Sequence, residues 1–149
     1  MKLRSPSHLA RFGAAAFVIL AAATLLAACN ITGSGLVGPT WKVTAVTTTV
    51  PAWQGVVPAA NQGRYTIAFA NDGTAAITAD CNQVTATYTT SPGGSITIVP
   101  GASTLAMCPE DSMGSQFVEA LSTVSSYSID GNDLVLYQPD NSRLELTGS

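Results

Sequence analysis

Residues 64–79 read Arg-Tyr-Thr-Ile-Ala-Phe-Ala-Asn-Asp-Gly-Thr-Ala-Ala-Ile-Thr-Ala, and this stretch indicates the fold class. Tyr65, Ile67 and Phe69 alternate with smaller residues, which places the three large side chains on one face of a strand. The Asn-Asp-Gly that follows is typical of a tight turn between two antiparallel strands. The stretch therefore predicts a hairpin with one apolar face.

The same pattern of short Thr- and Val-rich segments between turn residues continues on both sides of this hairpin. We expect further strands at 40–47, 84–90, 95–99, 125–129, 134–137 and 143–147. One helix is predicted to begin near Pro109. Its apolar face consists of residues at helical spacing, namely Met113, Phe117, Leu121 and Val124. The predicted fold is mainly β with one α-helix (α+β): an antiparallel, partly closed, barrel-like sheet of about eight strands with the helix packed on it.

The N-terminal segment has the properties of a bacterial lipoprotein signal. Three basic residues come before or at position 11, residues 12–28 are uncharged, and Leu26-Ala27-Ala28 leads directly into Cys29. An ordinary secretory signal and a permanent anchor are the alternatives. The cysteine favours the lipoprotein, because it resembles the lipobox cysteine to which diacylglycerol is attached before cleavage. We expect a signal peptide at 1–28 and a covalent lipid on Cys29.

The polar residues after Cys29 predict a flexible tether over 29–38, followed by one domain over 39–149. The lipid would hold this domain, as a monomer, at a membrane of the bacterial cell envelope. Three basic residues remain after Cys29 against nine acidic ones, a formal net charge of 3 − 9 = −6. That balance argues against nucleic acid as a partner.

The only histidine, His8, precedes the predicted cleavage site. The mature chain therefore offers no histidine to activate a nucleophile and no imidazole to bind a metal. We assign no catalytic residue, no metal site and no cofactor apart from the lipid on Cys29. Cys81 and Cys108 form an even pair, which outside the cytoplasm favours a disulfide over two free thiols.

Residues 50–63 are the least regular part of the domain and are predicted to form a long loop. Trp53 lies there between prolines. One interpretation is that its side chain contacts a partner protein. The other is that it folds back as a lid over the open end of the sheet.

The order of landmarks along residues 38–147 resembles the META domain, the family of the bacterial heat-shock protein HslJ. The most specific landmarks are Cys81-Asn82 and the segment from Ser103 to Cys108, Ser-Thr-Leu-Ala-Met-Cys. The resemblance implies a compact, mostly antiparallel domain of envelope or secreted proteins, without family catalytic residues. The family usually has glycine before Cys-Asn, whereas this chain has Asp80. Asp80 must therefore adopt suitable dihedral angles or form a turn through its side chain.

The two cysteine-containing segments are best interpreted as a covalently linked structural corner. The alternative is a polar binding site made by the residues Asp80, Asn82, Ser103 and Thr104.

The leading functional hypothesis is a membrane-anchored, non-catalytic envelope module, with a stress-related role, that binds an envelope protein or wall component. A related alternative is an inhibitor of an extracellular hydrolase that uses the 50–63 loop. A carboxylate-dependent hydrolase would use Asp80 with Glu110 or Asp111. A small-ligand carrier, the last alternative, predicts a continuous apolar cavity inside the barrel.

Overall fold

A computed structural model describes residues 35–49 and 52–149, and at Ala52 and Trp53 it describes the backbone alone. The predicted signal peptide and the first six residues of the predicted tether, Cys29 among them, lie outside the described residues. In the part of the chain that is described, no helix is both long and apolar enough to cross a bilayer.

The described residues form nine strands, one short 3₁₀ helix and one α-helix. The strands are β1 (Thr40–Thr49), β2 (Ala52–Val56), β3 (Tyr65–Phe69), β4 (Thr74–Ala79), β5 (Asn82–Ser91), β6 (Ser95–Ser103), β7 (Ser126–Asp130), β8 (Asp133–Tyr137) and β9 (Arg143–Gly148). The 3₁₀ helix spans Ala59–Arg64 between β2 and β3, and α1 spans Gly114–Ser122 between β6 and β7.

Eight of the strands form a closed antiparallel ring. From β3 to β9 each strand pairs with the next along the chain, and β1 closes the ring by pairing with both β3 and β9. The prediction of an antiparallel, barrel-like sheet with one helix is confirmed. Closure of this kind leaves few unpaired strand edges.

β2 is a ninth strand, which the sequence analysis did not predict. One edge of β1 is divided between two partners: Thr40–Lys42 pair with β3, and Ala45–Thr49 pair with β2. The loop predicted over residues 50–63 therefore contains a strand and a 3₁₀ helix. The free edge at the end of β1 provides backbone partners for β2, although the residues of β2 have little strand propensity of their own.

The ring is weakest between β6 and β7, which share a single residue pair, Ser95 with Ser126. Beyond this pair the two strands diverge, and α1 packs against β6 and β4. The helix begins at Gly114 and not near Pro109 as predicted, because residues 109–112 form a turn closed by Ser112 N–H donating to the Pro109 carbonyl, 2.9 Å. Glycine is required at the first helical position, since a Cβ on Gly114 would lie 2.7 Å from the Ala79 carbonyl oxygen.

The interior of the ring is filled by the inward side chains of alternating strand residues. The least exposed of them include Val43, Ile67, Ile77, Ile98, Leu134, Leu136, Leu144 and Leu146. The core also contains Leu36, whose carbonyl accepts a 2.8 Å hydrogen bond from Trp41 Nε1. The folded domain thus includes residues that the sequence analysis placed in the tether.

Candidate binding cavity

An apolar cavity of about 360 Å³ lies at the end of the ring where β1 finishes and β9 begins. Its walls come from β1 between Val43 and Thr48, the residue after β2, the start of β3 and β9, and one face of α1 with the residue before it. The lining residues are Val43, Val46, Thr48, Val57, Tyr65, Met113, Gln116, Phe117, Ala120 and Leu144. The volume is within the range of small-molecule sites, and the lining has the apolar character of such sites.

A β-bulge in β1 gives the cavity its long wall. The pairing of β1 with β9 shifts register between Val43 and Ala45, so Thr44 is inserted into the ladder. A regular strand would place residues 43, 45 and 47 on one face and residues 46 and 48 on the other. Because the bulge re-aims the strand, Val43 lines the same cavity as Val46 and Thr48.

A second, smaller hollow of about 150 Å³ adjoins the cavity and supplies its polar rim. The two spaces share the wall residues Val46, Val57, Tyr65 and Met113. The rim adds Asn61, Arg64 and Asp111 to these apolar walls. The site is therefore apolar in its interior and charged at one side.

Arg64 and Asp80 form a two-contact ion pair at this rim. Arg64 Nε lies 2.7 Å from Asp80 Oδ1, and its Nη2 donates to Oδ2 at 2.8 Å. The Asp80 side chain is only 7% exposed, and Asp111 Oδ2 lies 3.7 Å from Arg64 Nη1. The hydrogen bond from Arg64, followed by one from Ser112, lowers the pKa of Asp80 below its usual value.

Asp80 adopts a left-handed backbone conformation with φ of +62°. This is the type of conformation that glycine adopts most easily, and aspartate is among the residues that tolerate it. The Asp80 N–H also donates to the Arg64 carbonyl at 2.6 Å. The turn is thus kept with aspartate in place of glycine, and its side chain is used to hold Arg64.

Tyr65 connects the rim to the helix. Its hydroxyl accepts a 3.1 Å hydrogen bond from the Met113 N–H, directly before the first residue of α1. Its ring packs edge-on against Phe117 with 5.9 Å between centroids. The Arg64 guanidinium lies 5.8 Å from the Tyr65 ring centroid. These contacts fix the face of α1 that borders the cavity.

The structural corner lies on the other side of α1. Cys81 and Cys108 are joined by a disulfide, as predicted. The Asn82 carboxamide Oδ1 accepts from Thr104 Oγ1 at 3.0 Å and from the Ala106 N–H at 2.7 Å. Its Nδ2 donates to the Ala106 carbonyl at 3.2 Å and contacts Cys108 Sγ at 3.2 Å. The carboxamide therefore fixes residues 104–108, which we call the clamped loop.

The four residues of the predicted polar site are divided between two places. Asn82, Ser103 and Thr104 line a groove between β5, β6 and α1, whereas Asp80 points to Arg64 at the cavity rim. The Asn82 carboxamide bonds to Thr104 Oγ1 and to the Ala106 backbone, and Thr104 Oγ1 also accepts from the Gln83 N–H at 3.0 Å. Ser103 Oγ donates to the Thr104 carbonyl at 2.8 Å. This geometry matches the role of a structural corner.

The cavity residues were not identified as a site in the sequence. Met113 and Phe117 were predicted as the core-facing side of the helix, and no motif marked Val46, Thr48 or Val57. The periodicity of β1 contains no visible signal for the bulge, because Val-Thr-Ala-Val-Thr is a run of strand-compatible residues without glycine. Trp53 lies in β2 paired with Thr48, and its side chain is outside the described part.

The META domain model matches residues 34–149. The chain belongs to the META domain family. The match begins two residues before Leu36, which agrees with the position of Leu36 in the core of this META domain. No curated protein matches the chain.

Two solved structures resemble this META domain in fold. A protein from Burkholderia xenovorans, determined by NMR, has a TM-score of 0.58 and 18% identity, over 78% of this chain and 86% of that one. A crystal structure of a DUF4847 family protein from Bacteroides vulgatus has a TM-score of 0.54 and 16% identity, over 77% of this chain and 95% of that one. At these identities the likeness is one of fold.

Proposed function

We propose that this META domain is a lipid-anchored, non-catalytic binding module of the bacterial cell envelope, and that it holds an apolar ligand in the cavity beside α1. The observation that carries the proposal is the cavity itself. The bulged half of β1 and the facing side of α1 leave about 360 Å³ between apolar side chains. The space opens to solvent at one side and is lined almost entirely by apolar side chains, a combination that is typical of small-molecule sites.

The anchoring part of the proposal rests on the sequence alone. The uncharged run over 12–28 and the Leu-Ala-Ala-Cys at 26–29 support a lipoprotein signal. Replacing Cys29 with alanine is expected to move the protein from the membrane fraction to the soluble fraction and to abolish labelling by radioactive palmitate. Membrane retention with Cys29→Ala would instead support a permanent anchor.

The charges near the rim support a binding role over a carboxylate-dependent hydrolase. A general acid in such an enzyme needs a raised pKa so that it carries a proton near neutral pH. The pKa of Asp80 is lowered by Arg64, and its carboxylate is occupied by that ion pair. Asp111 is a second carboxylate beside the same guanidinium, and its side chain is 75% exposed.

The ligand part of the proposal is tested by comparing two variants with the same substitution. Val46→Phe places extra bulk in the cavity wall, whereas Val99→Phe adds the same bulk to β6 at an exposed position outside the cavity. Full-length protein purified from a bacterial host should release an apolar small molecule on solvent extraction, detected by mass spectrometry. We expect Val46→Phe to lose this molecule and Val99→Phe to keep it.

Equal amounts of bound molecule in both variants would show that the ligand occupies another site. Both variants are monitored by circular dichroism, because overpacking a wall can lower stability by about 1–3 kcal/mol. A folded Val46→Phe protein with no bound molecule supports the cavity as the site.

An inhibitor of an extracellular hydrolase is the second candidate, and β2 favours it. β2 pairs only with β1 in the described sheet, so its outer edge is available to an added strand. Val56 in β2 is 76% exposed. A pull-down from envelope extract should then recover a hydrolase that is lost with Trp53→Ala and Val56→Ser. If both variants still recover the hydrolase, β2 is not its binding site.

A further inference from the structure

The cavity and its rim have the shape that an elongated molecule requires. Along β1 the lining extends from Val43 to Thr48, roughly 13 Å at the rise of an extended strand because the inserted Thr44 adds no length to the ladder. The rim hollow then continues this space past Val46 and Val57. A molecule that fills both would have a long apolar body and a polar head at one side.

The polar groups at the rim are Asn61, Arg64 and Asp111, with Asp80 directly behind Arg64. Arg64 is already paired with Asp80 through two contacts and lies 3.7 Å from Asp111. One cation therefore faces two carboxylates. An anionic head would compete with Asp80 for the guanidinium and would approach the exposed Asp111 carboxylate, which is unfavourable for like charges. Asn61 and Asp111 offer hydrogen-bonding groups to a head without negative charge.

Building on the proposed function, we infer that the ligand is a single-chain amphiphile: one alkyl or acyl chain in the cavity, with an uncharged or cationic head at the Arg64–Asp111 rim. The chain contacts Phe117, Leu144 and the bulged half of β1. The head contacts Asn61 and Asp111. A fatty-acid carboxylate binds more weakly than a neutral or cationic amphiphile of the same chain length.

Ligand binding can be followed through the NMR signals of the methionine methyl groups. Met113 lines both the cavity and the rim hollow, whereas Met107 in the clamped loop is fully exposed. Full-length protein with ¹³C-labelled methionine methyl groups, purified in amphipol, is titrated with three dodecyl-chain probes: the monoacylglycerol, the trimethylammonium salt and the carboxylate. The pH is set so that the carboxylate is ionised. Met107 serves as the internal control for non-specific contact.

We expect the Met113 methyl signal to shift saturably with the monoacylglycerol and with the trimethylammonium probe. The Met107 methyl signal should not shift. The carboxylate should bind at least about ten-fold more weakly. Shortening the chain from dodecyl to decyl should weaken binding by about four-fold per methylene removed, because each methylene leaves the apolar cavity. Val46→Phe should abolish the Met113 shift, and Val99→Phe should preserve it.

The two proposals fail in different ways. If no probe shifts Met113, the apolar-ligand function is overturned together with this inference. Equal affinity for all three heads would overturn the inference about the head and leave the cavity as an apolar site. A shift of Met113 that survives Val46→Phe, or equal shifts of Met107 and Met113, would place binding outside the cavity and overturn both.

Discussion

The two regions on either side of α1 are built in different ways. On one side, Met113, Phe117 and Ala120 border an unfilled cavity. On the other, Gly114 lies against the Ala79 carbonyl, and a groove separates the helix from the corner that the disulfide and Asn82 hold. The corner is fixed by a covalent bond and by the Asn82 carboxamide, whereas the cavity face of α1 is held by Tyr65 through one hydrogen bond and one ring contact. The space that could admit a ligand therefore lies beside the face of α1 that has the fewer linkages.

Removal of the disulfide is expected to have the largest effect on stability. The bridge joins residues 27 apart in sequence, and loop-closure entropy predicts a loss of about 3.5 kcal/mol in the free energy of unfolding for Cys81→Ser with Cys108→Ser. Urea denaturation measures this loss. Under native conditions the Met113 response to the monoacylglycerol should remain. A loss below about 1 kcal/mol would mean that the other contacts hold the corner without the bridge.

Asn82→Ala tests the polar part of the same corner. It removes the carboxamide that fixes the clamped loop, and we expect a loss of about 1–2 kcal/mol in unfolding free energy. Asn71→Ala in the exposed β3–β4 turn is the matched control, with an expected change within about 0.5 kcal/mol. Equal effects of the two substitutions would contradict the role of Asn82.

The Arg64–Asp80 pair should make stability depend on acid pH. The pKa of Asp80 is lower in the folded state, so the pair stabilises the fold above the unfolded pKa, about 4. This contribution is lost as the pH falls through the lowered folded pKa. Melting temperature measured against pH should therefore be flatter for Asp80→Asn than for the unchanged protein.

The same melting profile is measured for Arg64→Gln, because this substitution removes the main cause of the low pKa of Asp80. It should flatten the same acid range of the melting profile. If both variants keep the original pH dependence, the profile is controlled by other carboxylates.

The smallest effect is expected for the exposed side chains of the clamped loop. Leu105 and Met107 are 94% and 100% exposed, so replacing both with serine removes little buried apolar surface. We expect the unfolding free energy from urea denaturation to change by no more than about 0.5 kcal/mol. A loss of more than about 1 kcal/mol in unfolding free energy would show that these side chains contribute to packing. The stability of the corner would then not come from the disulfide and the Asn82 hydrogen bonds alone.

Most of the ring could be predicted from the sequence because its signals are local. Alternation in Tyr65–Phe69, Asp133–Tyr137 and Arg143–Gly148 marks strands that bury one face, and each strand has a turn beside it. The pairing of Cys81 with Cys108 followed from the separate assignment of Cys29. These features depend on neighbours in sequence, which is why pattern analysis identifies them.

The cavity could not be predicted because its causes are long-range. The bulge at Thr44 arises from the register of β1 against β9, about a hundred residues away in sequence. β2 forms because β1 offers it a free edge, not because Ala52–Val56 favours a strand. Whether α1 packs tightly or leaves space depends on both of these pairings. The predicted polar site failed to form as one cluster for a similar reason: the pairing of Asp80 with Arg64 takes it away from Asn82.

The pairing of the first ring strand with the last has a topological consequence. The Thr40 N–H donates to the Ser149 carbonyl at 3.3 Å, and the Ser149 N–H donates back to the Thr40 carbonyl at 3.1 Å. The order of strands around the ring is thus a cycle, in which the chain break between β9 and β1 is only one of several equivalent places to begin. A circular permutant that links Ser149 to Leu36 and opens at the exposed Pro92–Gly93 turn would keep every strand pair, with its new ends far along the sequence from the cavity walls.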